Sequence, residues 1–344
     1  MKVNSIELKD LVKEALEAQL VPMISGSPAI GKSDIVRQVA KDFDLKVIDI
    51  RLSQSDPTDL AGFPKLDGKK ATYVPIDTFP IEGDPLPINP ETNKEYAGWL
   101  IFLDEINSGA LAVQAAAYKL ALDKMVGQHK LHKNVAIVAA GNLMTDKAIV
   151  NRMSTAMQSR LAHFELIVDP PIWRKWATAN NIDYRIISFI GFKPESLYQF
   201  KPDHNGNTYP SPRTWEFLNR IVKKYDKEIP ASRIPLMASV IDEAAAREFY
   251  AYAQVFENLI TIPQIIANPT GIPVPEEPSI KYALSGSIGQ HLTKDNAPQL
   301  MPFVSRMPIE FQILSLQIGL ERNKEILQTQ VVKDWVTVNS EELF

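Results

Sequence analysis

Apolar and polar residues alternate along the first fifty positions in a way that predicts a helix, a strand, a second helix and a second strand. Residues 5–19 place apolar side chains on one helical face. The short apolar run 21–25 predicts a strand ending in a glycine-containing turn, residues 34–43 predict a helix, and residues 46–51 predict the next strand. A strand, a helix and a strand within about 30 residues form a βαβ unit, which requires a parallel sheet.

The same alternation resumes later in the chain and then stops. Buried strands are predicted at 99–103, 135–140 and 163–168, with an alanine-rich helix at 113–124. After residue 171 the pattern is helical only, and helices are predicted at 173–180, 182–190, 213–225 and 236–259.

This pattern predicts the α/β class, with a parallel-sheet core followed by an all-helical part. We place the core at residues 1–168, a helical lid at 169–262 and a helical C-terminal extension at 263–344.

Prolines and glycines interrupt the core between residues 56 and 98, a stretch far longer than an ordinary connection, so we interpret it as an insertion with its own function. Within it, residues 65–73 predict a hairpin that turns at Asp67-Gly68.

Composition excludes several classes of protein. Hydrophobic residues make up 45% of the 344 positions and charged residues 23%, so the chain can bury a large core and is not a disordered protein. The net charge of −4 gives no global basic field, which argues against a protein that coats nucleic acid. The absence of cysteine excludes disulfides, cysteine-bound metals and thiol nucleophiles. The N-terminal residues lack the apolar stretch of a signal peptide, and no window resembles a membrane span, so we expect a cytoplasmic protein with no membrane partner.

A phosphate-binding motif follows the first predicted strand. The sequence matches G-x-x-x-x-G-K-[ST], and a helix is predicted directly after it. In such a loop, backbone N–H groups and a helix N-terminus bind phosphate oxygens, the lysine reaches the β- and γ-phosphates, and the hydroxyl binds Mg²⁺. The predicted nucleotide-binding residues are Gly26, Ser27, Pro28, Ala29, Ile30, Gly31, Lys32 and Ser33.

Two carboxylates end the predicted strand at 99–103. Asp104 and Glu105 would lie at the carboxyl edge of the sheet, where open α/β sheets bind ligands. We expect Asp104 to hold Mg²⁺ and Glu105 to orient and polarise the attacking water. The alternative is a strand that ends in two solvated acids.

An amide and two arginines complete the candidate site. Asn142 follows the strand at 135–140 and could hold the same water, although Gly-Asn also forms simple turns. Arg160, before the strand at 163–168, could complete the site of a neighbouring subunit, with Arg152 as the competing candidate. Arg213 opens a helix of the lid and could reach the γ-phosphate in its own chain. The alternative for both Arg160 and Arg213 is a surface charge.

The order of these motifs resembles that of AAA+ ATPases. Leu103-Asp-Glu-Ile-Asn107, Ser159-Arg160-Leu-Ala-His-Phe-Glu165 and Ser211-Pro-Arg213-Thr-Trp-Glu216 are similar to the MoxR branch, in the dynein-related subfamily. The resemblance implies a hexameric ring with ATP at the subunit junctions. It also implies that Asn142 is the first sensor, Arg160 the arginine finger and Arg213 the second sensor. Ser108-Gly109 departs from the basic or small residue and prolines that the family often has there.

The resemblance also implies a function. Members commonly act as remodelling chaperones beside a partner with a von Willebrand factor A domain, so we expect ATP hydrolysis coupled to the remodelling of a protein client. Adenine specificity rests on the resemblance alone. The rival hypotheses are a nucleic-acid motor, disfavoured by the charge, and a structural ring that only binds nucleotide, disfavoured by Glu105.

Overall fold

The computed structural model describes residues 1–146, 151, 153–204, 206–225 and 228–339. The chain divides into two compact units. The first consists of Met1–Val168 with Lys201–Asp203, and the second of Asp169–Phe200 with His204–Phe344. The second unit includes residues on both sides of the predicted 262/263 boundary, so the division into lid and extension stays a prediction.

The first unit combines strands and helices. Its strands are β1 (Lys2–Val3), β2 (Pro22–Ser25), β3 (Leu45–Arg51), β4 (Phe63–Asp67), β5 (Lys70–Val74), β6 (Ile88–Asn89), β7 (Lys94–Glu95), β8 (Gly98–Asp104), β9 (Met125–Val126), β10 (His129–Lys130), β11 (Val135–Gly141) and β12 (Ala162–Leu166). Its helices are α1 (Ser5–Glu17), α2 (Lys32–Asp42), α3 (Pro57–Ala61), α4 (Leu111–Asp123) and α5 (Thr155–Gln158), with 3₁₀ turns at Leu52–Gln54 and Met144–Asp146.

The described part of the second unit is helical. Its helices are α6 (Pro170–Ala179), α7 (Tyr184–Phe192), α8 (Pro212–Val222), α9 (Ile234–Ile241), α10 (Glu243–Gln254), α11 (Ile262–Ala267), α12 (Pro278–His291), α13 (Ala297–Val304), α14 (Ile309–Arg322) and α15 (Gln330–Val338). Shorter 3₁₀ turns lie at Pro194–Leu197, Ala231–Arg233, Val255–Asn258 and Lys324–Gln328.

The main sheet confirms the predicted fold class. Within the described residues, six parallel strands pair in the order β1-β12-β2-β11-β8-β3. Because β11 lies between β2 and β8, the residues that follow these three strands meet at the carboxyl edge of the sheet. This edge carries the candidate site.

Helices cover both faces of this sheet. Leu100 and Phe102 of β8 pack with α1 and α2, whereas Ile101 and Leu103 pack on the opposite side with α4. A strand buried on both faces must be apolar at successive positions, which explains the continuous apolar run of β8. Phe102 is completely buried, and truncating such a side chain to alanine typically costs about 3–5 kcal/mol. The acidic end of the candidate site therefore follows a strand that is buried on both faces.

The insertion contains the predicted hairpin, shifted by one residue. Strands β4 and β5 pair in antiparallel register, and Asp67 opposes Lys70, so the loop consists of Gly68-Lys69 and not of Asp67-Gly68. Gly68 has a positive φ of 62°, which glycine adopts without strain. The insertion also begins with a short helix, α3, that the sequence pattern did not predict. Leu60 of α3 packs in the core beside α4, which anchors the base of the insertion.

One predicted helix of the second unit is two helices. The pattern predicts a single helix over residues 236–259, whereas α9 ends at Ile241 and α10 starts at Glu243. Asp242 between them has a φ of 83°, outside the helical range, and its carboxylate accepts a hydrogen bond from the N–H of Ala245 at 2.8 Å. The continuous apolar periodicity concealed this N-cap. Among the described residues, no helix has the length and apolar character needed to cross a membrane.

Candidate nucleotide-binding site

The loop between β2 and α2 has the backbone that phosphate binding requires. Gly31 caps α2 in the left-handed conformation with φ 98°, and Ala29 also has a positive φ of 63°. A Cβ on Gly26 would lie 2.8 Å from the Ile30 side chain and 3.1 Å from the carbonyl oxygen of Leu166, so the loop packs closely against β12. Its N–H groups and the N-terminus of α2 together form an anion-binding feature.

Lys32 lies inside this loop. Its ammonium donates hydrogen bonds to the carbonyl oxygens of Gly26 and Ser27, at 2.6 and 2.9 Å, and to Asn142 Oδ1 at 3.2 Å. The residue is only 9% exposed. The cation is therefore held at the sheet edge by oxygens from two neighbouring strand ends.

Ser33 and Asp104 form the second contact between the loop and the acidic strand. The Ser33 hydroxyl donates to Asp104 Oδ2 at 3.1 Å, and Asp104 Oδ1 accepts the N–H of Glu105 at 2.9 Å. Burial raises the pKa of Asp104, an effect that its hydrogen bonds and Lys32 oppose. A hydroxyl and a partly desolvated carboxylate are donors that Mg²⁺ prefers, so these residues fit the predicted metal ion.

Glu105 lies beside them in an unusual backbone conformation. Its φ is 56°, in the left-handed region that non-glycine residues rarely adopt. The carboxylate accepts a hydrogen bond from the hydroxyl of Ser53, in the turn that follows β3. Two neighbouring strand ends therefore fix its position.

The sequence-predicted residues separate into two groups. Lys32, Ser33, Asp104 and Asn142 are joined by direct hydrogen bonds, and Glu105 adjoins Asp104. The two arginines belong to other parts of the chain: Arg160 is exposed in the turn before β12, and Arg213 is exposed in α8 of the second unit. Arg152, the competing candidate, lies outside the described residues.

The position of Arg160 along the sheet restricts what it can reach. It precedes β12, whose first residue, Ala162, is level with Pro22 at the start of β2. Glu165 is level with Ser25, the last residue before the phosphate-binding loop. This difference of three residues corresponds to about 10 Å along the strand. The backbone of Arg160 thus lies at the amino end of the parallel strands, whereas the phosphate-binding loop of the same chain lies at their carboxyl end.

Three further polar residues in the site were missed by the sequence analysis. They are Ser53, Asn107 and Asp146. Ser53 follows a strand, so the rule that identified Asn142 could have found it. Asp146 is 8% exposed, and one of its oxygens accepts the Ser27 hydroxyl at 3.2 Å. Asn107 ends the motif Leu103–Asn107, but the motif gives it no role, and no sequence pattern marks Asp146, because the contacts of both residues depend on the paths of two loops.

Comparisons with known proteins give a distant structural likeness. Neither a family model nor a curated protein matches this chain. Among solved structures, two mutants of Thermotoga maritima RuvB are similar, with identities of 15% and 14% and TM-scores of 0.40 and 0.39. These matches cover 88% of this chain and 86% and 85% of theirs. The Thermotoga maritima RuvB Holliday junction branch migration motor matches at 14% identity and a TM-score of 0.39, over 88% of this chain and 86% of the other.

Proposed function

We propose that this chain is a magnesium-dependent ATPase of the AAA+ type that acts as an oligomeric ring and remodels a protein partner. The observation that carries the proposal is the 3.2 Å hydrogen bond from Lys32 Nζ to Asn142 Oδ1. It joins the phosphate-binding loop to the strand next to the acidic pair. A γ-phosphate, its metal ion and an attacking water must meet at such a junction.

Each residue at the junction has a distinct task in this proposal. The loop N–H groups and Lys32 bind the phosphates, while Ser33 and Asp104 would hold Mg²⁺. The metal ion, when bound, neutralises charge that develops on the phosphate oxygens. Glu105 orients the attacking water and accepts its proton, and the Asn142 amide holds that water or the γ-phosphate. A module that only binds nucleotide has no need of Glu105.

The oligomeric ring is supported by the position of Arg160. Because this residue starts from the amino side of the sheet, it would act on the nucleotide of a neighbouring subunit. A hexamer and the role of Arg213 as a contact from the lid within the same chain follow from the AAA+ resemblance.

The hairpin of the insertion supports a partner-binding role. Leu66 is 81% exposed and Phe63 56% exposed in a two-stranded sheet that carries Lys69 in its turn and Lys70 at the start of β5. Apolar side chains beside cations are suited to contact a protein segment with both acidic and apolar residues. The resemblance suggests a partner with a von Willebrand factor A domain. A nucleic-acid motor is the second candidate, because cations beside exposed rings also bind single strands.

The ATPase proposal is tested by measuring hydrolysis and ATP binding in parallel. Replacing Glu105 with glutamine should preserve ATP binding and lower the hydrolysis rate about 10²–10⁴-fold, because the water loses its base. Lys32→Ala should weaken ATP binding itself. Glu91→Gln, in the exposed loop between β6 and β7, is the matched control and should behave as the wild type. Equal turnover in Glu105→Gln and wild type would overturn the assignment.

The partner class is tested with a double substitution in the hairpin. Lys69→Ser with Lys70→Ser removes two exposed charges and keeps Gly68 in the turn. We expect basal ATPase activity and assembly to persist while stimulation by a protein client falls. Lys223→Ser with Lys224→Ser, an exposed pair in the second unit, is the matched control. Stimulation by single-stranded DNA that depends on Lys69 and Lys70 would instead favour the nucleic-acid motor.

A further inference from the structure

Asn107 connects the acidic strand to the predicted sensor residue. It lies two positions after Glu105 and is only 7% exposed. Its side chain makes a two-way contact with the backbone of Asn142: Nδ2 donates to the carbonyl oxygen at 2.8 Å, and Oδ1 accepts the N–H at 3.2 Å. These two bonds fix which end of the amide is nitrogen, since an N–H can bond only to the oxygen.

The backbone around Asn107 strengthens this connection. The carbonyl oxygen of Asn107 accepts the N–H of Asn151 at 2.7 Å, and that of Gly109 accepts the Asn151 side chain at 3.0 Å. The N–H of Ile106 donates to Ala140 in β11 at 2.9 Å. The segment after the acidic pair is therefore hydrogen-bonded to residues that precede Asn142 in the sequence and to a residue that follows it.

The close approach requires a glycine in β11. A Cβ on Gly141 would lie 2.5 Å from Asn107 Oδ1 and 2.9 Å from its Cγ, distances that real Cβ atoms do not show. Gly141 has an extended backbone that any residue can adopt. A glycine is therefore needed here to leave space for the Asn107 amide, and not to allow an unusual backbone angle. The sequence thus contains a matched pair: a glycine that leaves room and an amide that fills it.

We propose that Asn107 is a positioning residue that holds Asn142 at the catalytic edge. The contact runs from Asn107 to the Asn142 backbone, and from the Asn142 side chain to Lys32. Asn107 touches no reacting group in this scheme. It acts by fixing the backbone that carries the Asn142 amide. The inference rests on the proposed ATPase function.

The first test separates turnover from binding. Without the Asn107 amide, the N–H and carbonyl of Asn142 lose their partner, and a displacement of about 1 Å at a catalytic group can cost up to about 10²-fold in rate. We expect Asn107→Ala to lower kcat about 10–100-fold and to change the Kd for ATP less than about 3-fold. Asn134→Ala is the matched control: it removes an asparagine that donates to a backbone carbonyl, at 2.9 Å, at the opposite end of β11. It should leave kcat unchanged.

A double substitution tests whether Asn107 acts through Asn142. If it does, Asn107→Ala should have little further effect on kcat in protein that already carries Asn142→Ala. Two effects that multiply fully would overturn the proposal, because Asn107 would then support activity by another route.

A second variant gives a readout that a loss of packing cannot imitate. Asn107→Asp keeps the shape, but the ionised carboxylate cannot donate to the Asn142 carbonyl. When protonated, the carboxyl can donate from one oxygen and accept with the other. We therefore expect kcat of Asn107→Asp, divided by that of the wild type, to rise as the pH falls. The same ratio for Asn134→Asp should stay flat. This variant also serves if Asn107→Ala does not fold.

The outcomes separate the inference from the proposed function. A wild-type protein without Glu105-dependent hydrolysis would contradict the proposed function. A different result would overturn only the role of Asn107. In that case the wild type hydrolyses ATP through Glu105, but the Asn107 variants have the same kcat and pH profile as their Asn134 controls.

Discussion

The hydroxyl of Ser53 donates a hydrogen bond to the carboxylate of Glu105. The bond directs this carboxylate oxygen, Oε2, toward Ser53, so the serine competes with a water molecule for the same oxygen. Ser53 belongs to the turn after β3, the edge strand beside β8, so a movement of that turn would change the direction of the Glu105 carboxylate. The proposed general base and a neighbouring strand end are thus linked by a hydrogen bond.

We expect Ser53→Ala to raise basal ATP hydrolysis. A hydrogen bond of about 1 kcal/mol corresponds to an increase of up to about fivefold, measured as kcat at saturating ATP. Ser55→Ala is the control, because its hydroxyl donates to the Arg51 carbonyl at 2.9 Å and not to Glu105. A fall in kcat specific to Ser53→Ala would show instead that the serine orients Glu105 for catalysis.

The raised pKa of Asp104 predicts a pH-dependent stability. Burial raises this pKa above the ordinary value of 3.8, so the folded protein binds the proton more tightly than the unfolded chain. The stability due to Asp104 is therefore fully present at low pH and is lost as the pH rises through the folded-state pKa. Without metal, Asp104→Asn should raise the melting temperature at neutral pH, and its advantage over the wild type should shrink on acidification.

The measurement is a series of thermal melts between pH 4 and pH 8 in a chelator. Asp77→Asn, an exposed aspartate of the insertion, controls for the loss of one charge. Mg²⁺ with ADP should stabilise the wild type more than Asp104→Asn. Equal stabilisation of both proteins by Mg²⁺ and ADP would contradict a metal-binding role for Asp104.

How far the sequence predicts this site depends on the range of the contacts. Lys32, Asp104 and Asn142 each follow a strand or begin a helix, and local patterns identify such positions. Their meeting depends on β11 lying between β2 and β8, which the pattern does not specify because strand pairing is non-local. The contact between Asn107 and Asn142 lies beyond Glu105, whose left-handed backbone no residue preference predicts.

A site shared between subunits predicts that two inactive variants restore activity together. Arg160→Ala protein should bind ATP and hydrolyse it slowly, since a supplied arginine contributes about 10³-fold or more in known cases. Mixing it with Lys32→Ala protein should restore hydrolysis, because an intact loop of one subunit can then face an intact arginine of the other.

The control is a mixture of Lys32→Ala with Glu105→Gln. Both substitutions disable residues of the same subunit's nucleotide site, so this mixture should stay inactive. The measurement is ATPase activity at varied mixing ratios, with co-assembly checked by pull-down of differently tagged chains. Co-assembled Arg160→Ala and Lys32→Ala without restored activity would favour Arg152 or an arginine of the same chain.

The last prediction concerns the packing of α7 against α12 in the second unit. A Cβ on Gly286 would lie 1.9 Å from the Ser188 hydroxyl oxygen, so Gly286→Ala should destabilise this unit by about 1–3 kcal/mol. Ser188 is completely buried, and its hydroxyl has no hydrogen-bond partner among the described residues. Ser188→Ala alone should therefore be neutral or stabilising. In the Gly286→Ala background it should recover part of the lost stability, because the nearest remaining atom of residue 188, Cβ, would be 3.2 Å from the new methyl group.

Denaturant unfolding followed by tryptophan fluorescence measures both effects, since Trp173, Trp176, Trp215 and Trp335 lie in this unit and only Trp99 in the other. Independent, additive effects of the two substitutions would contradict the close contact of the helices.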